Sequence, residues 1–273
     1  MTREKEGMHM GLDAYVNCNC MKEGKVKSPP FDIGLLEWTD EGIDLSDSTD
    51  DGTYHLFLKW REHACEHEDF YYYYNRVANI AGGNFFFGVM ERLGQENFPL
   101  LNSIWGNPLS ASQAGKALKE LDILESRVSE LQGIFLLESK SQEEYAKALP
   151  GDDRWFYSSG IEFTYRLNDS GFRIVNQNNL ELFRSMEFTQ EVVCLEKDSR
   201  VDRLVWFCDS ETGGVHKSTH PLSKKIWGVE ELYYPISLQV VTRELKCSDL
   251  PSAGVLRKLF EASIQTGNSI IWA

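Results

Sequence analysis

The segment GLDAYVNCNC, residues 11–20, alternates between apolar and polar side chains as a half-buried β-strand does. Its apolar residues, at even positions, would share one face of the strand. The same alternation places Cys18 and Cys20 on that face, roughly 7 Å apart along the chain. A strand that leads into two thiols one residue apart indicates either two buried core residues or two ligands of one metal ion.

A second group of ligand-type side chains lies in WREHACEHEDFYYYYN, residues 60–75. If this segment is extended, His63, Cys65 and His67 share one face, whereas a helix would align the two histidines and turn the cysteine away. We expect an irregular or extended path, because Asp69 is predicted to cap a helix that follows.

The two segments together predict one structural zinc site. Its ligands would be Cys18, Cys20, Cys65 and His67, with His63 as a substitute or an outer partner. Thiolate and imidazole together suit zinc, and four such ligands close a tetrahedron. The spacing Cys-x-Cys is less usual for zinc than Cys-x2-Cys. An alternative therefore stays open, in which both strand cysteines are core residues and HACEHED is a polar approach to a helix.

The first half of the chain shows both strand-like and helix-like patterns. Residues 53–60, TYHLFLKW, are typical of a strand, and residues 70–81, FYYYYNRVANIA, of a helix that the glycines at 82–83 interrupt. The clearest helix is SASQAGKALKELDILESRVSEL, residues 110–131, in which apolar residues recur every three or four positions. GIFLLES, residues 133–139, then predicts a buried strand.

Beyond Pro150 the sequence becomes rich in strand-like segments. IEFTYRLNDSGFRIV, residues 161–175, predicts a hairpin with a turn at its centre. A final helix is expected after Ser252, which would act as its cap. The predicted fold class is α+β, with a mixed or mostly antiparallel sheet, helices packed on it and a β-rich C-terminal half. We expect two halves, residues 1–150 and 151–273, which could share one core.

The net charge of the chain indicates which class of macromolecule it would bind. Its 273 residues include 42 acidic and 28 basic side chains, for a formal net charge of −14. This balance opposes binding to nucleic acid and favours a basic protein partner. No apolar run is long enough for a membrane helix. The polar start MTREKEGMHMG predicts no secretory signal, so a cytoplasmic location is the expectation.

The acidic stretch of residues 40–51 contains no basic side chain. Its candidate contacts to a basic partner are Asp44, Asp47, Asp50 and Asp51. A simpler interpretation is a solvated loop between strands. The leading hypothesis is a non-catalytic, acidic protein-binding protein that zinc stabilises, such as an immunity protein, an inhibitor or a component of microbial defence.

An enzyme is the alternative hypothesis, although the non-catalytic interpretation is favoured. It would be a metal-dependent hydrolase that uses the cluster of Cys18, Cys65 and His67, with Glu66 or Glu68 as the general base. Two familiar catalytic zinc patterns are missing from the sequence: His-Glu-x-x-His and the His-x-Glu with Pro-Cys-x-x-Cys of zinc deaminases.

Overall fold

The computed structural model describes residues 11–39, 42–46, 49–104, 107–158, 162–194, 203–225 and 232–273. Within these ranges, the α-helices are α1 (Asp51–His63), α2 (Ile80–Arg92), α3 (Ala111–Arg127) and α4 (Pro251–Thr266). None of the helices in this part of the chain is long and apolar enough to cross a membrane.

The strands are mostly short and pair in antiparallel fashion. Those before α3 are β1 (Gly11–Asn17), β2 (Leu36–Thr39), β3 (Gly42–Leu45) and β4 (Tyr71–Asn79). Those between α3 and α4 are β5 (Gln132–Glu138), β6 (Glu144–Ala148), β7 (Arg154–Ser158), β8 (Phe163–Asn168), β9 (Gly171–Asn176), β10 (Glu181–Ser185), β11 (Glu187–Cys194), β12 (Arg203–Asp209), β13 (Val215–Ser218), β14 (Lys224–Lys225), β15 (Leu232–Tyr233) and β16 (Ser237–Glu244). After α4 comes β17 (Ile270–Trp272). Helices and antiparallel sheets together confirm the predicted α+β class.

The described residues form two compact units. Unit 1 comprises the residues up to Val128 together with Lys246–Ala273, and unit 2 is Ser129–Leu245. This arrangement differs from the predicted halves, which divide the chain at residue 150. The reason is antiparallel pairing over long sequence distances: β5, which precedes residue 150, pairs with β16, and β17 pairs with β1.

In unit 1, β1 lies between β17 and β4 in one antiparallel sheet. The side chains of Leu12, Ala14 and Val16 are buried, as the alternation predicts. Helix α4 packs against β1 and β4, and α3 packs on α4. Helix α4 thereby covers one face of the sheet. Cys18 and Cys20 follow directly after β1 and so lie at one end of the sheet.

The predicted strand at residues 53–60 is wrong, because this segment belongs to helix α1. Asp50 precedes the helix with an extended backbone, and its carboxylate accepts a hydrogen bond from the Thr53 N–H at 3.0 Å. Phe57 and Trp60, three residues apart, are both buried on one side of the helix. The aromatic and β-branched residues that suggest a strand are thus outweighed by a good cap and a helical apolar stripe.

The predicted helix at residues 70–81 is also wrong over most of its length. Its tyrosines form β4, which pairs with β1 in the register Tyr15 opposite Tyr74. Asp69 cannot cap a helix here, because its backbone is left-handed with φ 51°. The cap is Asn79, which accepts from the Gly82 N–H at 2.7 Å, so the glycines at 82–83 lie inside α2 instead of interrupting it. Aromatic residues favour strands where a partner strand is available.

The other helix predictions are largely confirmed. Helix α3 begins after Ser110, whose hydroxyl and Gln113 form a capping box. Helix α4 ends at Thr266, and Gly267 after it is left-handed with φ 74°. Ser252, however, is not the cap of α4. It is buried in the first turn, and Pro251 takes the first helical position, for which its fixed φ suits it.

Unit 2 packs two antiparallel sheets around an aromatic core. One has the order β13-β12-β11-β16-β5-β6 and the other β10-β9-β8-β7. The predicted hairpin is confirmed as β8 and β9. Its Tyr165 and Phe172 are buried with Phe188 and Phe207 from the larger sheet, and the rings of Phe172 and Phe188 stack at 4.7 Å.

Candidate metal centre

Cys18 and Cys20 reach the site through a tight turn directly after β1. The Cys18 N–H donates to the Phe70 carbonyl at 2.7 Å, which continues the pairing of β1 with the segment before β4. The chain then reverses, and the Lys25 N–H donates to the Cys20 carbonyl at 2.8 Å. Cys18 and Cys20 are both buried there, at 6% and 4% exposed.

Cys65 and His67 lie on an irregular bend between α1 and the short 3-10 turn Glu68–Phe70. The path is neither a strand nor a helix, in line with the irregular approach expected from the sequence. The His67 N–H donates to the Cys65 sulfur at 3.4 Å, so the bend turns back on its own thiol.

The structure brings these four residues together at one point. The sulfur of Cys18 lies 3.9 Å from that of Cys65, and the sulfur of Cys20 lies 3.3 Å from Nδ1 of His67. All four ligand atoms lie within 4.8 Å of one another, an arrangement that could hold a metal ion. The pairs are each 47 positions apart in sequence, so the site joins two distant segments.

These separations can be compared with a tetrahedral zinc site. With Zn–S bonds of about 2.3 Å and Zn–N bonds of about 2.0 Å, the edges of a regular tetrahedron are about 3.8 Å for two sulfurs and about 3.5 Å for sulfur and nitrogen. The distance of 3.9 Å between Cys18 and Cys65 and that of 3.3 Å between Cys20 and His67 are close to these edges. Two of the six edges thus match a small tetrahedral ion, and the other four separations are no longer than 4.8 Å.

Burial disfavours the charged form of the thiols. Burial raises the pKa of the Cys18 thiol to about 12, the neighbouring thiols of Cys20 and Cys65 add to the shift, and the Cys20 N–H opposes it. Burial also raises the pKa of Cys20, where Cys65 and Glu66 disfavour a negative charge. Because a metal binds the thiolate, an ion at this point would supply the missing positive charge and release protons.

An apolar shell surrounds the cluster. Its buried members apart from the cysteines are Leu45, Phe57, Trp60, Ala64 and Phe70. The Trp60 indole N–H donates to the Lys27 carbonyl at 2.9 Å, and the Lys27 N–H donates to the Ala64 carbonyl at 2.8 Å. These bonds tie the segment after the cysteine turn to α1. Low dielectric around the ligands strengthens their attraction for a cation.

The backbone next to His67 is strained. Asp69 and Phe70 are consecutive non-glycine residues in the left-handed region, with φ of 51° and 62°. The Asp69 carboxylate accepts from Nε of Arg61 at 3.0 Å, and the Phe70 carbonyl accepts from the Cys18 N–H. Strain of this kind persists where the surroundings fix the chain, and it often marks functional sites.

A cavity of about 100 Å³ lies beside the cluster. Tyr15 and Trp38 are among its walls, and Cys18 lines it together with Arg61 and Asp69. A water molecule needs only a small part of this volume. The cavity is therefore large enough to hold small molecules next to Cys18.

Not every residue predicted for the metal site takes part in the cluster. His63, at the end of α1, has 79% of its side chain exposed and lies 4.0 Å from the Glu62 carboxylate. The structure therefore does not bring it to the four ligand atoms. The candidate bases Glu66 and Glu68 are both exposed.

The acidic candidates for partner contact lie at or near the surface where they are described. Asp44 is exposed on β3, and its carboxylate accepts from the Leu45 N–H at 2.8 Å. Asp50 is the cap of α1, and Asp51 is the exposed first residue of that helix. Asp47 lies outside the described residues.

Sequence reasoning missed Arg61 and Trp38, which line the cavity, and it assigned Asp69 to a helix cap instead of to the ion pair with Arg61. No local pattern could have found them, because the cavity forms only when the β2–β3 hairpin lies beside β1. Comparison of the chain with known protein families, with curated protein sequences and with solved structures finds no match. The functional argument therefore rests on the chemistry of the cluster and the charge of the chain.

Proposed function

We propose that this protein is a non-catalytic binding protein whose unit 1 is stabilised by a structural zinc ion on Cys18, Cys20, Cys65 and His67. The observation that carries the proposal is the meeting of four ligand atoms, within 4.8 Å of one another, from two segments 47 positions apart. Neighbouring ligands in one turn can meet by chance of local geometry. Two distant pairs need the tertiary fold to bring them together.

Zinc is favoured by the donor types and their number. Three sulfurs and one imidazole nitrogen match a tetrahedral Cys3His site, whereas magnesium and calcium prefer oxygen ligands. A structural site has all four positions filled by the protein, and a catalytic site keeps one for water. The four protein ligands here therefore support a stabilising role for the metal.

A metal-dependent hydrolase is the second candidate. The feature in its favour is the cavity beside Cys18, which also contains the Arg61–Asp69 ion pair. Against it, the candidate bases Glu66 and Glu68 are exposed, and a substrate would have to displace one of the four protein ligands. We therefore place the non-catalytic function first.

A basic protein is the partner that the charge favours. The net charge of −14 would steer a positively charged protein toward the surface and repel nucleic acid. Asp44 and Asp51 are exposed close to each other in sequence and are the first residues to test. An inhibitor or immunity protein that neutralises a basic partner would have this chemistry.

Elemental analysis of the purified protein tests the metal centre. We expect one equivalent of zinc, which Cys20→Ser reduces strongly and His63→Gln leaves unchanged. His63→Gln is a matched control, because this histidine lies two residues from Cys65 but is mostly exposed. Substitution with cobalt adds a second readout, since thiolate ligands give charge-transfer absorption that the Cys20→Ser variant would lose in part. Protein without any bound metal would refute the zinc centre.

Affinity capture tests the partner. The immobilised protein should retain a basic protein at low salt and release it at high salt. The double variant Asp44→Asn and Asp51→Asn should weaken that binding by about tenfold or more, which corresponds to about 1.4 kcal/mol. Glu96→Gln with Glu261→Gln removes the same charge from exposed positions on other elements and serves as the control. Equal loss in both double variants would mean that only the net charge acts.

A further inference from the structure

The cluster contains a pair of sulfurs that is close enough to become a disulfide. Cys18 and Cys65 are both free thiols, and their sulfurs are 3.9 Å apart. A disulfide needs about 2.05 Å, so small rotations of the two side chains would close the gap. Building on the proposed zinc centre, we propose that a peroxide oxidant joins Cys18 to Cys65 and thereby ejects the zinc ion.

The chemistry balances with hydrogen peroxide as the two-electron oxidant. One thiolate attacks the peroxide oxygen, the O–O bond breaks, and a sulfenic acid forms with loss of hydroxide, which takes up a proton as water. The second thiolate attacks the sulfenic sulfur and forms the S–S bond, and the hydroxide that leaves takes up a proton from solvent as a second water. Two zinc-bound thiolates, one hydrogen peroxide and two protons from solvent thus give one disulfide, two waters and a released zinc ion.

Access to the pair differs between its two members. Cys65 is half-buried, and Cys18 is almost fully buried but lines the cavity of about 100 Å³ beside the cluster. Hydrogen peroxide is about the size of two water oxygens and fits such a space. A larger oxidant would have to act at the Cys65 side.

The bond would remove half of the metal ligands. Only Cys20 and His67 would remain free, with their ligand atoms 3.3 Å apart. Two ligands do not complete the tetrahedron that a structural zinc ion requires. Zinc would leave.

The fold should survive this loss, because the disulfide connects the same two segments that the metal connects. Cys18 lies just after β1, and Cys65 lies between α1 and β4. The covalent bond replaces the coordinate bonds across the same 47-position span. The oxidised protein is then folded and metal-free, and the reduced protein is folded with metal.

The test treats the zinc-loaded protein with hydrogen peroxide and follows zinc release with a chromogenic chelator. Peptide mass spectrometry then maps the disulfide. We expect zinc release in proportion to a Cys18–Cys65 cross-link, and recovery of zinc binding after reduction with dithiothreitol. Cys247→Ser is the matched control, because Cys247 is an exposed free thiol elsewhere in unit 1, and its loss should change neither readout.

Two further variants keep the test decisive if metal affinity falls. Cys20→Ser leaves the proposed pair intact and should still form the cross-link, whereas Cys65→Ala should not. Zinc release without a Cys18–Cys65 cross-link, or a cross-link of Cys20 to Cys65 in its place, would overturn the inference. If the zinc-loaded protein keeps its zinc under peroxide, the redox inference is refuted and the zinc centre stands. If the protein never binds zinc, both the zinc centre and the redox inference are refuted.

Discussion

Removal of the metal should destabilise unit 1 by an amount that the structure allows to be worked out. The two ligand pairs, Cys18 with Cys65 and Cys20 with His67, each span 47 positions. If the ion acts as a cross-link over a loop of this length, the lost entropy of the unfolded chain gives about 4 kcal/mol of stabilisation. For a unit of this size, the melting temperature should fall by roughly 8 to 16 °C on removal of the ion.

The assay is thermal or urea unfolding of the zinc-loaded protein before and after a chelator, under reducing conditions. Hydrogen exchange would locate the effect. The Cys18 N–H bond to Phe70 and the Lys27 N–H bond to Ala64 should lose protection first, because both border the cluster. In Cys20→Ser the chelator should have little further effect, whereas His63→Gln should respond as the unaltered protein does. An unchanged melting temperature after full removal of zinc would refute this account.

Three further predictions concern other parts of the chain. Hydrogen bonds from Ser185 and Thr212 lower the pKa of the Asp209 carboxyl. The ionised carboxylate therefore stabilises the folded state at pH values above its unfolded-state pKa of about 3.9. This stabilisation is lost as pH falls through the lower folded-state pKa. Asp209→Asn should therefore flatten the acid limb of the unfolding free energy against pH, and an unaltered limb would contradict the assignment. Phe57→Ala should lower the free energy of unfolding in urea by about 3–5 kcal/mol, because the Phe57 ring is fully buried in the apolar shell of the cluster. A loss under about 1 kcal/mol would show that this shell is not tightly packed around Phe57. Asp50→Ala should cost about 0.5–2 kcal/mol through loss of the cap of α1, and Asp50→Asn, which keeps a capping oxygen, serves as its control.

Local patterns were sufficient for elements that carry their own signals. Helix α3 has apolar residues at three- and four-residue spacing and a capping box at Ser110, and both act within one turn. The β8–β9 hairpin has alternating residues on both sides of a turn. In such segments the interactions that decide the structure lie within a few residues of each other, so the sequence shows them directly.

The segments that were predicted wrongly depend on distant partners. The tyrosines of β4 suit a strand or a helix face, and the choice is made by pairing with β1, some sixty positions away. The aromatic residues of α1 favour a strand when read locally, and the helix is favoured because Phe57 and Trp60 both pack on Phe31, which lies outside the helix.

The sequence by itself determined the donor chemistry of the candidate centre: three thiols and an imidazole, in two short segments, in an acidic chain. It also determined the α+β class. Only the tertiary structure decided that Cys18, Cys20, Cys65 and His67 meet while His63 points to solvent. The physical reason is that side-chain type is a local property, whereas convergence across 47 positions requires β1 to pair with the chain beside the bend and α1 to pack over the turn.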